Sequence, residues 1–127
     1  MDANSLLWAG QVVLALALLT VGYGHSIGFD QWVLRQGMGW LAAVGKPRMR
    51  VIGGLEILGA IGLVLPGLLG ILPWLTPVAA TCVAVLMVLA AIFHAGRPGE
   101  RTNIALNIFN AVLAGLIAWG RFVVAPF

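Results

Sequence analysis

The 127-residue chain reads as an all-α membrane protein, a bundle of four transmembrane helices with an interfacial helix between the first and second. Three observations predict this. Hydrophobic residues make up 61% of the chain and charged ones 9%, and the mean hydropathy of +1.05 lies outside the range of soluble domains. Four apolar stretches, roughly residues 5–25, 50–68, 77–95 and 102–122, meet the length a helix needs to cross the hydrocarbon core. None shows the period-2 alternation of a transmembrane strand. One domain, residues 1–127, holds all four.

The first span follows "MDANS", a flank with Asp2 and no Lys or Arg, and no small-residue cleavage pattern closes it. A retained helix is expected rather than a signal peptide. Between spans one and two, "DQWVLRQGMGWLAAVGKP" (30–47) is too long for a tight turn and too apolar for a free loop. Trp32 and Trp40, eight residues apart, would share one helical face, which predicts a helix over 30–45 lying on the membrane surface. Between spans two and three, "PGLLGILPWLTP" (66–77) is uncharged and punctuated by Pro66, Pro73 and Pro77, as expected of a hairpin hugging the surface. Cys82 is the sole cysteine, which excludes an internal disulfide and CxxC chemistry.

Orientation follows from the basic residues. Arg35, Lys46, Arg48 and Arg50 lie between spans one and two, Arg97 and Arg101 between three and four, and only Arg121 lies on the other side. The positive-inside rule then makes both basic loops cytoplasmic and both termini external. Trp8, Trp74 and Trp119 fall at the expected outer boundary, Trp32 and Trp40 at the inner one. Topology thus accounts for the formal charge of +3, and no nucleic-acid, phosphate-loop, metalloprotease or nucleophile motif is present.

The polar residues within the spans fall at one depth. With a rise of about 1.5 Å per residue, Glu56 is about 9 Å beyond Arg50, Asn107 about 9 Å beyond Arg101, and His94 about 4.5 Å from Arg97. Tyr23 and His25 end the first helix at the same level. On the fourth helix Asn103, Asn107, Asn110, Ala114, Ile117 and Arg121 share an inward-facing stripe. On the second, Gly53, Gly59, Ala60 and Leu63 surround Glu56 with small side chains that permit close helix approach. A carboxylate facing lipid would cost about 2.5–3.5 kcal/mol on insertion scales, so Glu56 is expected to face the bundle and find a partner among His25, His94, Asn103 and Asn107. The candidate polar pocket is therefore Glu56, His25, His94, Asn107, Asn103 and Tyr23. The histidines and Glu56 have no paired ligand spacing on one helix, so no metal site is expected, and no catalytic residue is assigned.

"GGLEILGAIGLVLP" (53–66), "LTPVAATCVAVLMVLAAIFH" (75–94) and the closing "AWGRF" resemble the DoxX-like family of small bacterial membrane proteins, and the resemblance runs from "LLWAGQVVLALALLTVGYGH" to Arg121. It implies a four-helix inner-membrane protein in a family named for a subunit linked to thiosulfate and quinone redox chemistry, with members associated with membrane oxidoreductase assemblies. One departure stands out. The family commonly carries Gly-x-x-Lys at the end of the first span, and here Gly22 is followed by His25, which replaces a fixed cation with a side chain that can be neutral at pH 7. The expectation is a redox-associated accessory or quinone-binding protein without turnover of its own and with no intrinsic cofactor beyond a bound quinone or lipid. Its partners would be the bilayer and either a larger oxidoreductase complex or further copies of itself. Two alternatives stand beside it, a purely structural subunit and a small transporter, the latter disfavoured by the absence of an inverted repeat.

Overall fold

The computed structural model describes residues 1–127. Its long helices are α1 (Ala3–His25), α4 (Lys46–Leu69), α5 (Leu75–Ala95) and α6 (Arg101–Trp119), and α6 runs on into a π-helical turn at Gly120–Val124. Each is long and apolar enough to span a bilayer. Two short helices, α2 (Phe29–Trp32) and α3 (Trp40–Val44), lie in the connection between α1 and α4.

Local chemistry sets the ends of these helices. Asp2 caps α1 by accepting from the Ser5 N–H at 2.7 Å, and that hydrogen bond holds its carboxyl below the usual value. Gly45, with φ +97°, turns the chain into α4, where Pro47 occupies the first turn, and Gly70 in the left-handed region ends the helix. Pro66 does not begin a hairpin as expected but lies inside α4. It removes a single ladder hydrogen bond, one turn from the helix end, and spanning helices tolerate this.

Helix α1 packs along α4 and α5 along α6, while α4 against α5 joins the two pairs and α1 touches α6 more lightly. The shared core is apolar, built around Leu14, Leu18, Leu63, Val83, Met87 and Ile117. Leu16, Leu58, Leu89 and Phe109 point outward. Lipid is as apolar as leucine, so helix association depends on close packing rather than on escape from water. The glycines supply that closeness. A Cβ on Gly22 would lie 2.9 Å from the Gly53 carbonyl oxygen, and one on Gly53 would lie 2.7 Å from that of Gly22. The backbones of α1 and α4 therefore touch there.

The connection over 30–45 differs from the single surface helix expected. A turn separates α2 from α3, and Trp32 and Trp40, 9% and 8% exposed, are buried with Phe29, Leu41 and Met49 in a second core at the basic end. The two rings face protein rather than headgroups. The Trp32 ring lies so close over Gly24 that a Cβ there would come within 2.0 Å of it. Lys46 ties the connection to the start of α4 by donating to Asp30 at 2.8 Å.

Candidate functional site

At the basic end, the Gly22–Gly53 crossing brings His25 and Glu56 together. Both side chains lean toward the N-terminus of their own helix. Because α1 and α4 run in opposite directions, they lean toward each other, and Gly22 leaves room for the Glu56 stem, its missing Cβ falling 3.3 Å from that of Glu56. His25 Nδ1 and Glu56 Oε2 end 2.7 Å apart. Both residues are buried. Glu56 has thus found one of the partners the sequence offered it.

A second histidine–carboxylate pair stands on the other side of the bundle end. His94, in the last turn of α5, has its Nδ1 2.6 Å from Glu100 Oε2, and Arg97 Nε donates to the other oxygen at 2.8 Å. Burial pushes the Glu100 carboxyl up, but the hydrogen bonds and charges of Arg97 and His94 outweigh it, and the net direction is down.

Trp40 links the two pairs. Its ring meets His25 edge-on at 5.4 Å between centroids and His94 edge-on at 4.6 Å. Trp32 lies 6.1 Å from His25, and Phe93 lies 5.2 Å from His94. The indole Nε1 of Trp40 is buried without a hydrogen-bond partner. Each imidazole is committed to a carboxylate through Nδ1, which fixes the ring and leaves Nε2 without a protein partner. The arrangement is two oriented imidazoles flanking an unpartnered buried donor, walled by aromatic rings. No group of three or more His, Cys, Asp or Glu residues converges in a way that could hold a metal ion.

The remaining expected site residues are elsewhere. Asn107 donates to the Asn103 carbonyl of its own helix at 2.8 Å, and neither asparagine bonds Glu56 or a histidine. Both are half-buried on the inward stripe that continues to buried Ala114 and Ile117. Tyr23 is 46% exposed, with its ring against Gly28 rather than in the cluster. Sequence reasoning missed Trp40, which it placed at the inner membrane boundary, and did not single out Glu100. The one available signal for Glu100 was its place six residues after His94 across the Pro98–Gly99 turn, where Gly99 has φ +81°.

Against this geometry, a model of the DoxX-like family matches residues 9–117. The chain belongs to the DoxX-like family. The match includes His25, Trp40, Glu56, His94 and Glu100 and stops before Arg121. No curated protein and no solved structure matches the chain. This DoxX-like protein is a multi-pass membrane protein, its four spanning helices making up most of the matched stretch.

Proposed function

We propose that this DoxX-like protein binds a lipophilic molecule with a flat, carbonyl-bearing head, of the quinone type, against the His25–Trp40–His94 cluster, and serves as an accessory to a membrane redox assembly. One observation carries the reading, the buried Trp40 indole N–H that no protein atom accepts. A donor in that state costs about 1–3 kcal/mol unless something accepts from it, and a carbonyl oxygen would. The residues around it fit such a head. Trp32 and Phe93 add aromatic faces, and the free Nε2 atoms of His25 and His94 can accept or donate a proton. The quinone supplies electron-carrying chemistry when bound, and this chain's part is to bind it, orient it and hold protons at the two Nε2 atoms. Glu56 and Glu100 hold the imidazoles in place.

The basic end is taken as cytoplasmic, in the bacterial inner membrane. Reporter fusions after Phe127 and within residues 97–101 are expected to report opposite compartments, with the former outside.

The direct test is equilibrium binding of menadione to the purified chain in nanodiscs. Saturable binding is expected, weakened by about 2- to 10-fold in Trp40→Phe, which keeps a ring and removes the donor. Binding that is absent, or that neither Trp40→Phe nor His94→Gln alters, would leave the cluster as packing in a structural subunit.

A further inference from the structure

The opposite end of the bundle buries a different group. Arg121, on the π-helical turn, is 2% exposed. Its Nε donates to Gln11 Oε1 at 2.6 Å, and Nη1 donates to Asn4 Oδ1 at 2.7 Å and to the Ala125 carbonyl at 2.9 Å. Gln11, fully buried, is fixed in turn by donating to the Leu63 carbonyl at 2.6 Å. The Phe127 ring covers the guanidinium at 3.9 Å from Cζ, with Trp8 at 5.4 Å. Nη2 is buried and has no partner.

The side chains and the carbonyl that contact this cation are neutral, and none of the chain's ion pairs includes it. A guanidinium does not give up its proton to escape burial, so the charge and two N–H donors persist unanswered. Three hydrogen bonds meanwhile hold the fork in one orientation, and a preorganised donor loses little freedom on binding. We infer that Arg121 is the centre of an anion site that takes one oxyanion oxygen on Nη2, with Phe127 as its cover. The cover has a built seat, since a Cβ on Gly67 would come within 2.3 Å of the Phe127 ring, and Phe127 is itself 44% exposed, so the cover lies at the surface rather than within the bundle. Trp8, near the same helix ends, belongs at the headgroup boundary. That depth is where lipid phosphodiesters lie, and a free phosphate would offer the same oxygen. The site is separate from the His25–Trp40–His94 cluster and does not depend on the function proposed there.

The test uses the whole chain in phosphatidylcholine nanodiscs, with thermal unfolding as readout. Phosphatidylglycerol added to the discs is expected to raise Tm saturably, and Arg121→Lys, which keeps a charge but not the fork, to remove most of the rise. A rise confined to phosphatidylglycerol assigns a lipid headgroup, and a rise with inorganic phosphate in pure phosphatidylcholine, also lost in Arg121→Lys, assigns a soluble oxyanion. The six cations at the other end also attract anionic lipid, so a rise that persists undiminished in Arg121→Lys overturns the proposal, as does no rise with either probe. Phe127→Ala leaves the guanidinium in place and decides the matter should Arg121→Lys fail to fold. Its half-saturating phosphatidylglycerol fraction should fall several-fold, and an unchanged or higher value overturns the proposal.

Discussion

At the basic end of the bundle Glu56 is buried against His25, acid against base across two helices, whereas at the opposite end Arg121 is buried among neutral oxygens and aromatic faces. The first arrangement is closed on its carboxylate side and open at the Nε2 atoms and the Trp40 N–H. The second is open at the cation itself. A buried pair can lose its charge by passing a proton between partners, and a guanidinium cannot. The ligands proposed for the two ends differ accordingly, a polar but uncharged head at one and an anion at the other.

Breaking the pair should have the largest effect. His25→Leu leaves the Glu56 carboxyl buried without a partner and is expected to cost about 3–5 kcal/mol, read as loss of thermal stability in detergent. The double variant His25→Leu with Glu56→Leu should recover most of it, because two apolar side chains replace the pair. Glu56→Gln, which still accepts from His25, should fold. If His25→Leu proves harmless, the pair does not hold α1 to α4.

Next comes the crossing that positions the pair. Gly53→Ala forces a Cβ to within 2.7 Å of a backbone oxygen, which side-chain rotation cannot relieve, and should cost about 1–3 kcal/mol. Menadione binding should weaken with it, since His25 moves. Gly54→Ala is the control on the same helix, because a Cβ there meets nothing within 4 Å. Equal effects of the two substitutions would show that backbone contact does not set the geometry.

At the opposite end, Gln11→Leu removes the acceptor of Arg121 Nε and the donor to the Leu63 carbonyl. A loss of about 1–3 kcal/mol is expected, smaller than for His25→Leu because Asn4 and Ala125 still hold the guanidinium. A larger loss here than for His25→Leu would invert the comparison.

Glu100 gives the smallest effect. Its pKa is held below the ordinary 4.5 in the folded protein, so its contribution is complete above that value and fades as pH falls below it through the folded pKa. Glu100→Gln should cost about 1 kcal/mol or less near neutral pH and flatten the acid limb of the Tm profile. An unchanged acid limb would assign it to other carboxyls.

Much of this architecture was legible in the sequence. Continuous apolar runs leave a chain in lipid no alternative to helices, because every backbone polar group must be satisfied within the segment. The cost of a lone carboxylate predicted that Glu56 would turn inward, and the spacing on α6 correctly predicted which face is buried. Helical depth alone could not say which of four polar neighbours Glu56 would meet. Helix rotation and crossing decided that, through a glycine contact that brings α1 close to α4 and leaves Asn107 of α6 to its own backbone. Trp40, Glu100 and Gln11 entered their clusters only through contacts between segments distant in sequence or folded back across turns. Nothing in the local pattern distinguishes a tryptophan facing headgroups from one enclosed by two imidazoles, because an apolar ring with one polar N–H suits both settings and only the packed neighbours choose between them.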